Sequence, residues 1–479
     1  AVAAATISTT TANAVSVGDT VKHTASAAAS TLTLADASLA DNDGAATVTD
    51  TLATIELADL TGGDGNNAIN ASNFAGDATL SGGEGDDTLT GGTGDDSLDG
   101  GAGDDSLVAG AGDDVLTGGA GNDEMEGGDG TDTAAQTVDN DQVLTNGVLT
   151  GQGTDILATI ESANLTGGES GNILDASAFT LGAVTLSGGA GADTLTGGSG
   201  DDSLDGGADT DIVKQTLNVD QTLTDSSVTG AGTDSLANVE TANLIGQGGD
   251  NTLNASAFTL GTVTLSGGAG ADSLYGGSGD DSLDGGAGDD TIIQSGDINQ
   301  TLTDASLTGK GTDTLASIEN ATLTGGDSAN TIDASAFTGS VNLTGGLEAD
   351  VLTGGTGADT LTGGAGADIL TGGGGADVID GGADDDQLSI GDATFADVDG
   401  GAGTDSLAIT GSAVSLDLTA VAADDLTNIE SIDLTGSGDN ILTASQAEIL
   451  AIGDGDVLIV NGNAGDSFTL GAEAGWTWT

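Results

Sequence analysis

The sequence predicts an all-β protein, a coil of short stacked strands around a narrow core, and three observations predict it. A nine-residue pattern of glycine, aspartate and one aliphatic residue recurs in blocks along the chain. Aromatic residues make up only 2% of the 479 residues, too few for an ordinary globular core. Between the blocks, apolar residues alternate with threonine and serine, the period of short exposed strands rather than of helices.

The blocks come first, because repeats decide the architecture. Residues 82–135 divide into six nonapeptides of the form Gly-Gly-x-Gly-x-Asp-x-Leu-x, beginning with Gly82-Gly83-Glu84-Gly85-Asp86-Asp87-Thr88-Leu89-Thr90. Further blocks occupy 188–214, 267–293 and 345–389, with an isolated copy at 400–408. The sixth-position carboxylates are Asp87, Asp96, Asp105, Asp114, Asp123, Asp132, Asp193, Asp202, Asp211, Asp272, Asp281, Asp290, Asp350, Asp359, Asp368, Asp377, Asp386 and Asp405. The eighth position is aliphatic, as at Leu89, Leu98, Leu107 and Leu116.

A longer period contains the blocks. Asp155, Asp234 and Asp313 are 79 residues apart, as are Phe179, Phe258 and Phe337. Modules that gain or lose nonapeptides are how a solenoid grows. The intervening stretches read as continuing rungs with modified turns. In them asparagine takes the sixth position at Asn67, Asn172, Asn251, Asn330 and Asn440, followed in several modules by an Asp-Ala-Ser-Ala-Phe phrase. Phrases such as Gln300 to Leu307 and Thr312 to Glu319 read as short exposed strands. The expected organisation is an N-terminal β-rich segment (1–60), a first block (61–135), three modules (136–214, 215–293 and 294–408) and a C-terminal β-rich region (409–479). No amphipathic helix is expected beyond a short turn at Glu448 to Ile452.

Charge says what such a coil needs. The chain has 77 acidic residues against Lys22, Lys214 and Lys310, with no arginine, for a formal net charge of −74. Self-repulsion of that size opposes compaction unless cations condense into the fold. Nearly all of the acid is aspartate, and aspartate beside glycine is turn and oxygen-ligand chemistry. Nucleic acid and anionic membrane surfaces are excluded as partners, because the basic residues that would contact phosphates are missing. No apolar run approaches the roughly 18 residues of a membrane span. Without cysteine, no disulfide staples the chain. The start, Ala1 to Ala5, has neither an initiator methionine nor a basic stretch, so no signal peptide is read there, and the pattern at Trp478-Thr479 reads as ending mid-strand.

The nonapeptide joins these points. Glycines at positions one, two and four admit left-handed turns and inward carbonyls. The sixth aspartate offers a hard oxygen on a short stem, suited to Ca²⁺ at roughly 2.3–2.6 Å. The next residues extend into a strand whose eighth side chain points inward, so two nonapeptides make one coil between two small parallel sheets. Adjacent carboxylates repel without metal, and calcium reverses that sign and couples its binding to folding. One ion per repeat would neutralise roughly thirty-odd negative charges.

The eighteen nonapeptides, covering about a third of the chain, resemble the hemolysin-type calcium-binding, or RTX (repeats-in-toxin), family. The resemblance implies a right-handed parallel β-roll with Ca²⁺ between turns, held by the eighteen aspartates above and by backbone carbonyls. It also implies type I secretion from a Gram-negative-type bacterium and folding outside the cell. Asp209, Glu348 and Asp384 depart from it at the fourth position and Ala109 at the first, which puts those turns in doubt. The segments Thr427 to Gly436 and Asp456 to Asp466 resemble β-rich parts of large bacterial surface and adhesin proteins.

Weighed against plainer roles, the asparagine rungs read as neutral turns, the outward threonines as strand formers and the four matched phenylalanines as core plugs. His23 reads as a solvated loop residue, and Trp476 and Trp478 as core aromatics of a terminal domain. With one histidine, no cysteine and no nucleophile–base motif, the chain is not expected to be an enzyme. The expected function is a secreted calcium-binding structural protein that self-assembles into a surface layer or fibre. The alternative is the stalk of a large RTX adhesin, and behind it the RTX portion of a secreted enzyme or toxin. The expected partners are further copies of the chain and a cell-surface glycan or lipopolysaccharide.

Overall fold

The computed structural model describes residues 5–6, 19–24, 31–35, 38–42, 47–51, 55–422, 424–453 and 458–471. Trp476 and Trp478 lie outside them. The chain forms two compact units, residues 1–215 with 225–243, and residues 216–224 with 244–479.

In the first unit the backbone passes to and fro between two parallel sheets. Asp77–Glu84, Ser97–Ala102, Val115–Ala120 and Thr133–Thr137 stack in one sheet. Ala68–Asn73, Thr88–Thr90, Ser106–Ala111 and Glu124–Asp129 stack in the other. Leu80, Leu98 and Leu116 are register partners, as are Ile69, Leu89, Leu107 and Met125, so each coil consumes two nonapeptides. All seven are buried. A buried leucine contributes roughly 1.5–3 kcal/mol, and one per nonapeptide makes a thin core. The fold is a β-roll.

The strands run further than the turn-forming glycines suggest. Ser97–Ala102 continues through Gly100 and Gly101 into the next repeat. Gly101 holds φ +103°, and a Cβ there would collide with the Gly83 carbonyl of the adjacent coil. The second glycine is therefore a point of close approach between coils as well as a bend. Phe74, Phe179, Phe258 and Phe337 are buried plugs, each at a tight turn where its N–H donates to the carbonyl three residues back.

The alternating segments form hairpins stitched into the roll. Gln142–Thr145, Val148–Thr150 and Thr154–Ala158 make an antiparallel meander, its turn marked by Asn146-Gly147. Its outer strands pair in parallel with Ile173–Ala178 and Glu124–Asp129, so the meander widens one sheet without breaking it. Later in the same unit, Ser227–Thr229 and Thr233–Ala237 pair antiparallel, and Thr233–Ala237 joins Ser203–Ala208 in the opposite sheet. Buried Gln142 donates to the Thr166 carbonyl (2.8 Å), bracing the point where the chain leaves the roll.

The second unit repeats the plan. Gln300–Thr303, Ser306–Thr308 and Thr312–Ala316 form its meander. Ser340–Gly346, Thr360–Ala365 and Val378–Ala383 then stack in one sheet, and Val351–Thr353, Ile369–Thr371, Gln387–Ile390 and Ser406–Ile409 in the other. Parallel stacking continues past the last nonapeptide through Ser431–Asp433 and Ile459–Asn461. One short helix, Gln446–Ile452, starts at a capping box formed by Ser445 and Glu448. It is longer than the expected turn because that box satisfies its first amides. His23 lies in the strand Asp19–Thr24, in register with Leu60, and not in a loop.

Candidate metal centres

Each aspartate-bearing turn is set by the strands on either side of it. The sixth residue closes the turn, and its carbonyl accepts from the first strand residue of the next coil, as Ser106 donates to Asp87 and Glu124 to Asp105. This pins the backbone and aims every sixth side chain inward. All eighteen sixth-position aspartates are buried, none more than 3% exposed.

Their carboxylates form ladders. Asp87 donates its N–H to Asp105 Oδ1 (2.7 Å), and Asp105 donates to Asp123 Oδ1 (2.8 Å). A second ladder runs from Asp96 to Asp114 Oδ1 (2.6 Å) and from Asp114 to Asp132 Oδ1 (2.9 Å). In the later modules Asp193 donates to Asp211, Asp272 to Asp290, Asp350 to Asp368, Asp368 to Asp386 and Asp386 to Asp405. The asparagine rungs start ladders: Asn67, Asn172, Asn251 and Asn330 donate to Asp87, Asp193, Asp272 and Asp350. The exposed fifth positions form an outer ladder of opposite polarity, in which Asp104 donates back to Asp86 Oδ1 and Asp113 back to Asp95 Oδ1.

The second carboxylate oxygen divides the set. In Asp87, Asp105, Asp114, Asp123, Asp132, Asp193, Asp211, Asp272, Asp290, Asp350, Asp368, Asp386 and Asp405, Oδ2 is buried with no hydrogen-bond partner. In Asp96, Asp202, Asp281 and Asp359 it accepts the second-position N–H of its own repeat, for example Gly92 N–H at 2.6 Å. Asp377 accepts from Asp359 through Oδ1 (3.0 Å). A buried oxygen without a donor costs on the order of 1–3 kcal/mol, so thirteen of them mark places where something else is to be bound.

That oxygen does not stand alone. A Cβ on Gly82 would collide with both Asp87 Oδ2 and the Gly100 carbonyl, and one on Gly100 with both Asp105 Oδ2 and the Gly118 carbonyl. At Gly82 and Gly100, as at Gly91, Gly188, Gly345, Gly354, Gly363 and Gly381, the place a Cβ would take is thus bordered by a carboxylate and a carbonyl oxygen. Among the described residues no three carboxylate, imidazole or thiol side chains converge. A hard ion taking six to eight oxygens would draw its other ligands from backbone carbonyls. Calcium fits this all-oxygen donor set, and a nitrogen- or sulfur-preferring ion does not.

Electrostatics agree. Burial, with neighbouring carboxylates adding to it, pushes Asp105 and Asp386 up to about 7. Burial likewise raises Asp114, Asp132 and Asp368 to about 6. Repulsion between neighbouring carboxylates adds to these upward shifts, and burial is their larger cause.

A family model for the RTX calcium-binding nonapeptide repeat (four copies) matches residues 72–107, 99–134, 185–213, 264–292, 344–379 and 353–388. These are RTX calcium-binding nonapeptide repeats. Comparison with curated proteins gives no match. RTX repeats bind Ca²⁺, which assigns the chain to calcium-binding proteins of extracellular type. No described helix is long and apolar enough to cross a membrane.

The RTX pattern misses residues that the roll recruits. Asp155, Asp234 and Asp313 are buried and take the next ladder place, accepting from Asp123, Asp202 and Asp281. They lie 32 residues on instead of 18, the hairpin occupying the difference. Their 79-residue spacing was the available signal. Glu161, Glu240, Glu319 and Glu430 accept from Asp132, Asp211, Asp290 and Asp405 at the ladder ends, and the first three share that 79-residue spacing. Of the RTX departures, Asp209 and Asp384 adopt the left-handed conformation of the glycine they replace (φ 79° and 80°).

Proposed function

We propose that the chain is a secreted, calcium-binding structural protein that self-assembles into an extracellular surface layer or fibre, with calcium-loaded rolls as its material. In this reading the eighteen sixth-position aspartates supply calcium ligands, those with an unpartnered Oδ2 foremost. The observation that carries it is the distribution of those thirteen oxygens: they recur through both units instead of gathering at one place, as a catalytic or sensory site would. Calcium then acts as a building component, and the reading gives the chain no catalytic role.

Self-assembly is supported by the charge. Much of the −74 survives even full occupancy, and divalent cations shared between acidic faces can bridge copies of the chain. The same chemistry would let a cell-surface glycan or lipopolysaccharide serve as anchor.

Two measurements test this. Circular dichroism with calcium and with EGTA should show strand signal lost in the chelator, and full persistence would sink the calcium role. Electron microscopy of the purified chain as calcium is added should show sheets or filaments. Dispersed particles that bind glycans or cells would favour an adhesin stalk instead.

A further inference from the structure

The glutamates at the ladder ends stand in one repeated setting. Each is preceded, two residues earlier, by a residue in the left-handed conformation: Thr159, Asn238, Ser317 and Asn428, with φ between 50° and 55°. These are four non-glycine residues in a region that costs on the order of 1–3 kcal/mol. The twist brings a particular atom into place. A Cβ on Gly127 would collide with the Thr159 carbonyl and with Asp132 Oδ2. The same pair of collisions recurs at Gly206 with Asn238 and Asp211, at Gly285 with Ser317 and Asp290, and at Gly400 with Asn428 and Asp405.

Inside a ladder, the corresponding space is bordered by an aspartate Oδ2 and the carbonyl of the next coil's first glycine, as with Asp87 and Gly100. At the ends the left-handed residue supplies that carbonyl. The glutamate Oε2 takes the N–H that the next aspartate would have taken, at 3.1 Å from Asp132, 3.0 Å from Asp211, 3.0 Å from Asp290 and 2.7 Å from Asp405. Yet Oδ2 of all four aspartates is buried without a hydrogen-bond partner, and the residues are at most 1% exposed. A cap that served only to end the ladder would leave no such oxygen aimed into a space built like the interior ones.

We propose that each ladder end is a calcium site in its own right, formed by Asp132 with Glu161, Asp211 with Glu240, Asp290 with Glu319, and Asp405 with Glu430. The carbonyls of Thr159, Asn238, Ser317 and Asn428 each add one further oxygen. The proposal rests on the calcium reading of the nonapeptide aspartates and gives four of them, at the ladder ends, a glutamate ligand from outside the nonapeptide pattern. Glutamate suits the place because its longer stem reaches back from a strand that lacks the Gly-Gly turn.

The test is calcium stoichiometry of the full chain by isothermal titration and equilibrium dialysis, comparing wild type with Glu161→Gln/Glu240→Gln/Glu319→Gln/Glu430→Gln. Glutamine keeps an oxygen to accept the aspartate N–H, so a purely structural cap would leave calcium uptake unchanged. The proposal expects four ions to be lost or bound about tenfold more weakly, because ligand charge tunes affinity. A control with the same charge change at exposed positions, Glu84→Gln/Glu124→Gln/Glu126→Gln/Glu169→Gln, should keep the full count. Should the quadruple variant fail to fold in calcium, the four single variants decide: each should lose one ion, and full retention by all four overturns the proposal. A wild-type chain that takes up no calcium overturns the calcium reading as a whole. A wild type that binds, matched by its glutamine variant, overturns the ladder-end sites alone.

Discussion

Asp105 Oδ1 accepts the backbone N–H of Asp87, one coil away, at 2.7 Å, while Asp105 Oδ2 lies buried with no donor. One carboxylate thus divides its oxygens: one fastens adjacent coils, and the other has no donor. The division predicts that aspartates at the same place in the nonapeptide respond differently to the same substitution.

Asp105→Asn should keep the coil-to-coil bond and lose one calcium ion. For a site held at a hundred times its Kd, that loss is about 2.7 kcal/mol. In EGTA the same variant should match or exceed wild type, because a buried charge has gone. Asp96→Asn should behave otherwise, since both oxygens of Asp96 already accept backbone amides, from Ala78 and Gly92. It should cost about 1–3 kcal/mol with or without calcium. Urea melts of both variants in calcium and in EGTA check the contrast, and parallel behaviour would contradict it.

The first and second glycines should separate in the same way. Gly100→Ala puts a methyl group against Asp105 Oδ2 and the Gly118 carbonyl, so its cost should fall mainly on calcium binding. Gly101→Ala is strained by φ +103° and by the Gly83 carbonyl, and should destabilise by at least about 1–3 kcal/mol whether or not calcium is present. Calcium titrations alongside thermal melts distinguish the two.

Acid should partly replace calcium. Burial raises Asp105 and Asp386 to about 7, and Asp114, Asp132, Asp155, Asp234, Asp313 and Asp368 to about 6, from an ordinary 3.8. Between pH 4 and 7 the folded chain therefore holds protons that the unfolded chain has released. Stability of the metal-free roll should fall as pH rises through that window and level off above it. In excess calcium the slope should reverse at the acid end, where protons displace the ion. Melting temperatures from pH 4 to 8, in EGTA and in calcium, give both slopes.

The roll itself was legible in the sequence because its period is short and repeated: Asp87, Asp96 and Asp105 lie nine residues apart, and Leu80, Leu98 and Leu116 meet as eighteen-residue partners. Strand character of the intervening phrases was legible too, but not their direction. Alternation at Gln300 to Leu307 is the same for parallel and antiparallel pairing, and Gln300–Thr303 makes both, antiparallel with its neighbour Ser306–Thr308 and parallel with Thr331–Ala336. The division among the aspartates was hidden for a related reason. Oδ2 of Asp96 meets the Gly92 amide of its own repeat and Oδ2 of Asp105 meets none, although both aspartates hold the same place in the nonapeptide. Glu161, Glu240 and Glu319 recur every 79 residues, but their partners stand 29 residues away, and that of Glu430 25, outside any nonapeptide window.

Of the hairpins of the first unit, those at 142–158 and 227–237 emerge from opposite sheets, and simple parity accounts for it. Six single strands lie between the first of them and Gln221–Thr224, the strand that leads into the second: Ser162–Thr166, Ile173–Ala178, Val184–Ala190, Thr194–Thr196, Ser203–Ala208 and Ile212–Thr216. An even number returns the chain to the far side. Inserting one nonapeptide would make the count odd and bring both hairpins to the same side, whereas inserting two would only lengthen the spacing. Repeat number is thus an address as well as a length. A lineage that duplicates or deletes single nonapeptides can re-aim whatever its hairpins carry without altering a residue in them.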